Sequence, residues 1–318
     1  MSNKNKIIVV CGPTASGKTY ISIELAKILG GEIISADSMQ IYKELNIGTA
    51  KPDKDEMSGI KHHLIDIISI SDPHSYSVAD YVNQAGECAD NIIQAKKVPI
   101  ICGGTGLYID HFIKNTKFAE YAGDKNYRQK LIEMSKEELY EMLTKVDSKS
   151  AEMIHINNKK RVMRALEIYY TTGKTKSELD ELSQLESGRY EFIKLGIRYN
   201  DRNTLYSLIN KRVDRMIKTG LCDEAYDLYK NGKKDDIIKT GAIGYVELIE
   251  YFDGGYKLGD AVEKIKQNTR NYAKRQITWF KRDKNTIWID IDSDIINNPE
   301  IIIKFVLKTL KFINICVI

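Results

Sequence analysis

The residues Gly12-Pro13-Thr14-Ala15-Ser16-Gly17-Lys18-Thr19 fit the pattern G-x-x-x-x-G-K-[ST]. Glycines at both ends let the backbone turn tightly, so that successive N–H groups face one anion. A helix opening behind them adds partial positive charge. Lys18 brings a point charge to phosphates, and the Thr19 hydroxyl can ligate Mg2+. Such a loop holds a phosphate or diphosphate ester, without saying which. A protein that hydrolyses nucleotides would also need an apolar strand ending in an aspartate that holds the metal. The apolar run Val98–Cys102 ends instead in Gly103-Gly104-Thr105-Gly106, and Asp66 is the best remaining candidate for that role. Asp37 follows another apolar run, in Ser35-Ala36-Asp37-Ser38-Met39-Gln40. A carboxylate beside a diphosphate is repelled by it, so one placed there points to accepting a proton or holding a metal. The plainer alternative is a turn cap made by Asp37 and Ser38. His62 and His63 lack spaced partners for a metal and read as structural.

These residues need elements to position them. Lys6–Cys11 is a short apolar run before glycine and predicts a buried strand. Lys18–Leu29 has helical periodicity through Ile21, Leu25, Ile28 and Leu29 and stops at Gly30-Gly31. Glu32–Ser35 and Val98–Cys102 predict further strands, and Val78–Lys96 a helix. Strand and helix alternate to about residue 115, which argues for a parallel sheet with covering helices. Gly17, Asp37 and Thr105 each follow a strand end, where ligands bind in open α/β sheets. From Phe118 to Arg189 the chain turns charged and helical. Ser135 with Glu138 fits a capping box, and Asn158–Thr172 is a helix stopped by Gly173. Glu191–Tyr199 reads as a strand returning to the first domain. Helical segments follow at Arg202–Thr219, Ile243–Phe252 and Leu258–Arg282, with a last strand at Thr286–Asp290. The expected class is α/β: a P-loop parallel-sheet core with covering helices (residues 1–117), a helical insertion domain (118–189), and a return to the core with a C-terminal helical part (190–318).

The bulk numbers exclude several classes. With 318 residues, 42% of them hydrophobic, the chain can bury a sizeable core. A net charge of +4 is too mild to prove a nucleic-acid partner, so placement of the basic residues matters more. Five scattered cysteines with no C-x-x-C pair argue against a disulfide framework and fit reduced thiols in a cytosol. Met1–Ile8 carries no secretion signal. The apolar tail Ile301–Ile318 is broken by Lys304, Lys308 and Lys311 at helical spacing, which predicts an amphipathic closing helix rather than a membrane span. A cytoplasmic location with no membrane partner is expected. Basic and aromatic residues alternate in Arg270-Asn271-Tyr272-Ala273-Lys274-Arg275-Gln276-Ile277-Thr278-Trp279-Phe280-Lys281-Arg282. Such a segment suits phosphate contacts and base stacking on RNA, or else a core helix with a solvated basic face.

Taken together, GPTASGKT, SADSMQIYKELNIGTAKP, HHLIDI, GGTGLY, RALEIYYTTGK, AIGY and RNYAKRQITWFKR resemble the tRNA dimethylallyltransferase family, in that family's order over roughly Ile7 to Trp288. The resemblance implies transfer of a five-carbon prenyl group from dimethylallyl diphosphate to the exocyclic amine of the adenosine 3′ of the anticodon. It implies that Gly12, Pro13, Thr14, Ala15, Ser16, Gly17, Lys18 and Thr19 hold the diphosphate, with Mg2+ at Thr19. Asp37 would accept or orient the proton of the attacking amine, and Thr105 would lie near the reacting centre and touch the tRNA. Asp37, Ser38, Met39 and Gln40 would line the tRNA contact. Arg212 would clamp the diphosphate, with Arg215 as the competing choice. Arg128 and Lys160, Arg161, Val162, Met163 and Arg164 would contact the anticodon stem-loop. A monomer is expected.

Three positions depart from the family pattern: Lys61 where a proline commonly precedes the histidines, Lys160 where a glutamine is usual, and Gly241 where a polar residue is usual. They bear on local tRNA contacts rather than on the reaction. Two other readings stay open from the sequence: a small-molecule or nucleotide kinase, and a non-catalytic RNA-binding protein.

Overall fold

The computed structural model describes residues 4–73, 76–116, 118, 124–185, 188–291 and 299–312. Among the described residues six strands form one sheet: β1 (Lys6–Cys11), β2 (Gly31–Ala36), β3 (His62–His63), β4 (Val98–Gly103), β5 (Glu191–Tyr199) and β6 (Ile287–Ile291). Their order is β3-β2-β4-β1-β5-β6, and every pairing is parallel. A parallel sheet covered on both faces needs near-continuous apolar strands. Accordingly β1 is buried from Ile7 through Cys11 and β2 throughout. The edge strand β3 is held otherwise: the His63 ring nitrogen Nε2 pairs with Glu32 at 2.7 Å, and His62 Nδ1 bonds the Ile60 carbonyl at 2.9 Å. His63 is therefore structural, and His62 is tied to its own loop by one ring nitrogen.

The chain divides into two compact units, Met1–Asp110 with Tyr190–Ile318, and His111–Arg189. In the first unit the helix α1 (Lys18–Leu29) packs Ile21, Ile23, Leu25 and Ala26 against the sheet core. The C-terminal helix Pro299–Phe312 contributes Ile302, Ile303, Val306 and Leu310 to the same core and leaves Lys304 and Lys308 exposed. Its part of the apolar tail is thus core; residues 313–318 lie outside those described. Among the described residues, no helix is long and apolar enough to cross a membrane. After Arg202 the structure has two helices that the periodicity does not reveal, Leu221–Lys230 and Lys234–Thr240. Gly220 both follows the Arg202–Lys218 helix and caps the next one, so one stop signal also serves as a start.

The second unit is helical and has its own core of Leu131, Leu139, Leu143, Ala151, Val162, Met163 and Leu166. Ser135 and Glu138 form the capping box that the sequence predicts. Asn158 caps the Lys159–Thr172 helix by accepting from the Arg161 N–H, and Gly173 closes it.

Candidate functional site

The anion loop starts where β1 stops. Gly12 has φ 149°, and a Cβ there would lie 2.5 Å from the Ile197 carbonyl oxygen of β5, so only glycine fits. Ala15 packs against the cluster of Leu205, Ile209 and Ala273, which anchors the loop to two helices. Ser16 Oγ is buried with no partner in the protein, a polar group left for something else to satisfy. Lys18 turns inward and donates to the Pro13 carbonyl at 2.6 Å. Burial pulls its ammonium down to about 8; the nearby Arg212 pushes the same way, and Asp37 opposes it.

Arg212, on the Arg202–Lys218 helix, is half-buried. Burial lowers its pKa, and Asp37 and Glu56 work against that shift. Arg212, Lys18 and Asp37 are therefore close enough to feel one another's charge, whereas Arg215 is exposed.

Asp37 sits at the end of β2. Its Oδ1 accepts the Met39 N–H at 2.9 Å and, more loosely, the Gln40 N–H at 3.4 Å. It caps the turn, and its negative charge acts on both Lys18 and Arg212. Thr105 donates its N–H to the Ala36 carbonyl at 3.0 Å, and its Oγ1 accepts the Ser38 N–H at 3.0 Å. The β2 and β4 ends are thereby fastened together. The side chain of Met39 is spent on the core and that of Gln40 on its own loop. Met39 packs on the core around Leu45 and Tyr245, and the Gln40 amide donates to the Thr49 and Ala50 carbonyls at 3.3 Å.

The periodicity gave no sign of two residues at this edge. Gln276, 5% exposed, accepts the Thr14 N–H at 2.8 Å and donates to the Gly104 carbonyl at 3.0 Å. Tyr272 lies one turn earlier on the same helix and is largely buried. Burial and the negative charge of Asp37 raise its phenol pKa. Both residues lie in the basic-aromatic run, where charge and ring content mask a polar core position. The rings of that run are not free stacking platforms. Phe280 is fully buried, and the Trp279 indole N–H donates to Asp110 at 2.8 Å. The exposed basic members are Lys274, Arg275, Lys281 and Arg282.

Asp66, the alternative metal aspartate, is ion-paired with the buried ammonium of Lys51. Among the described residues no group of three or more His, Cys, Asp or Glu could hold a metal. A cavity of about 20 Å³ beside Thr19, lined also by Ser35, Gln40, His62 and Cys102, has room for about one water.

In the second unit, Arg128 donates to the fully buried Glu167 at 2.7 Å, and Arg164 lies 3.5 Å from the other oxygen of that carboxylate. Both arginines remain half exposed, at 58% and 48%. Lys160 and Arg161 are exposed as well. Val162 and Met163 require a correction. At 1% and 6% exposure they belong to the core of this unit and cannot offer side chains to RNA. Helical spacing turns them inward while their neighbours face out.

A model of the IPP transferase family matches residues 40–283. A tRNA dimethylallyltransferase of Thermoanaerobacter sp. (strain X514) is 44% identical over 315 residues, covering 96% of this chain and 99% of that protein. One of Anoxybacillus flavithermus is 48% identical over 294 residues, covering 92% of each. The crystal structure of the full-length tRNA isopentenylpyrophosphate transferase of Bacillus halodurans aligns with TM-score 0.71 at 39% identity, covering 97% of both chains. A eukaryotic dimethylallyltransferase acting on tRNA aligns with TM-score 0.79 at 29% identity, covering 91% of this chain and 74% of that one.

Proposed function

The chain belongs to the IPP transferase family, and from that premise we propose that it transfers a dimethylallyl group from dimethylallyl diphosphate to the exocyclic N6 amine of the adenosine 3′-adjacent to the anticodon in tRNA, releasing diphosphate. The observation that carries the reading is the meeting of Lys18, Arg212 and Asp37 at the carboxyl edge of the sheet, with Thr105 fastened to the same loop.

The adenine amine is a weak nucleophile, its lone pair delocalised into the ring. Reaction depends instead on early breaking of the allylic C–O bond. As it breaks, negative charge gathers on the departing diphosphate. Lys18, Arg212 and the amides of the loop other than Thr14, whose N–H is taken by Gln276, are desolvated donors for that charge, where they are worth more than in water. The planar Arg212 fork matches two phosphate oxygens at once. As the new C–N bond forms, the amine loses a proton; Asp37 accepts or orients it, while Thr105 positions the base. The adenosine must leave its stack to reach this edge, which is easier from an anticodon loop than from a duplex.

The residues present fit a Mg2+ ion. This ion keeps several waters and is commonly held by one or two protein oxygens plus substrate phosphates, which suits a lone Thr19 hydroxyl beside a loop holding the unpartnered Ser16 Oγ. When bound, Mg2+ would neutralise part of the diphosphate charge. Lys160, Arg161 and Arg164 of the second unit, with Arg128, would meet tRNA phosphates. The kinase reading loses ground because β4 ends without an aspartate and Asp66 is paired with Lys51.

The test is incubation with labelled dimethylallyl diphosphate, Mg2+ and unmodified tRNA, followed by nucleoside analysis. Label in N6-dimethylallyladenosine next to the anticodon is the expected result. Phosphoryl transfer from ATP without any prenyl transfer would overturn the reading.

A further inference from the structure

Gln276 joins two loops that the chain keeps far apart in sequence. Its Oε1 takes the Thr14 N–H of the anion loop, and its Nε2 donates to the carbonyl of Gly104, the residue before Thr105. Thr105 in turn accepts the N–H of Ser38, next to Asp37. Hydrogen bonds and the peptide links between them therefore connect the anion loop to the loop that carries Asp37. It also decides which loop amides serve the ligand, because the Thr14 N–H is held by the protein. A buried amide bonded at both ends is a stiff connection, since releasing either end strands a polar group.

We propose that Gln276 is a positioning residue that sets the separation between the departing diphosphate and the attacking amine. The proposal rests on the prenyl-transfer reading. Reacting atoms must approach to about 3–3.5 Å, and a misplacement of about 1 Å can cost about 10²-fold in rate. Gln276 is 5% exposed, so it acts through the two loops it holds.

Gly104 supplies an independent handle. A Cβ built there would lie 2.1 Å from Gln276 Nε2, while its nearest contact outside Gln276 is the Gly12 carbonyl oxygen at an ordinary 3.7 Å. Gly104→Ala should thus dislodge the glutamine amide, and removing that amide should make the added methyl harmless.

The experiment compares the wild type, Gln276→Ala, Gly104→Ala and the double variant. It measures kcat, KM for both substrates, melting temperature, and binding of inorganic diphosphate by calorimetry. Each single change should lower kcat by about 10²-fold and weaken diphosphate binding several-fold, with KM for tRNA nearly unchanged. The double variant should be no worse than either single one, because both act through one contact. Near-normal kcat in Gln276→Ala, even with a lowered melting temperature, would overturn the proposal by reducing Gln276 to a fold-stabilising residue. Losses that multiply in the double variant would also overturn it. A wild type that transfers no prenyl group would strike the functional reading instead; the diphosphate affinities would still judge the strap, and equal values in wild type and Gln276→Ala would sink it.

Discussion

The two units use charge in opposite ways. At the sheet edge of the first unit, Lys18 and Arg212 are drawn out of water, and burial lowers the pKa of both. In the second unit Arg128 and Arg164 keep about half their side-chain surface in solvent and are held from below by the buried Glu167. Desolvated charge is strong, directional and costly to misplace, which suits a transition state. Solvated charge is weaker and salt-screened, which suits gripping a long polyanion without demanding one geometry. The difference separates residues expected to govern turnover from those expected to govern affinity.

The largest expected effect is at Asp37. Asp37→Asn keeps the shape and the turn cap but cannot take a proton, and kcat should fall by about 10²–10⁴. Prenyl transfer within a few-fold of wild type would remove Asp37 from the chemistry and leave it a turn residue.

Arg212→Lys keeps the charge and loses the two-pronged geometry, so turnover should fall by about 10²–10³. Arg215→Lys, on the exposed side of the same helix, should stay within a few-fold of wild type, with tRNA affinity little altered in both. Steady-state kinetics of the pair side by side decides this, and a crippled Arg215→Lys beside a normal Arg212→Lys would transfer the clamp to Arg215.

Charge reversal in the second unit should do the converse. Arg161→Glu or Arg164→Glu should weaken tRNA binding and reduce the salt slope by about one phosphate contact. Affinity for the prenyl diphosphate should not change. Binding titrations at several salt concentrations read both; equal losses for the two ligands would mean that this helix props up the fold and grips no RNA.

The smallest effect expected is on stability. Asp147, 5% exposed, caps the Ser148–Met153 helix and accepts from Ser177. Burial works to raise its pKa, but the bonds from Ser150 and Ser177 prevail and lower it. A carboxylate with a lowered folded pKa stabilises above its unfolded value of about 3.9 and loses that contribution as pH falls through the folded value. Asp147→Asn should therefore cost about 1–3 kcal/mol near neutrality, and less once the pH drops below the unfolded value. Thermal melts of both proteins from pH 7 to pH 3 would show the two curves converging; a constant gap would mean that the cap does not depend on its charge.

Much of this protein was legible in the sequence because the signals are local. Lys6–Cys11 and Glu191–Tyr199 show as strands to the residue, since buried parallel strands are short apolar runs bounded by polar residues. Lys18–Leu29 shows because its apolar spacing and its glycine stop agree. The phosphate loop shows because its backbone conformation demands particular residues at particular spacings. Tertiary structure alone decided what depends on residues distant along the chain. The Thr14–Gln276 bond spans 262 positions, and a buried glutamine in a basic helix carries no local mark of the partner it will meet. Likewise, Arg212 is drawn partly inward while Arg215 stays exposed, and Val162 and Met163 turn away from solvent, because packing against other helices fixes which side of each helix faces in. Composition and spacing can name the residues able to do chemistry. Which of them share a site is set by the folded core, where burial decides which charges lose their water.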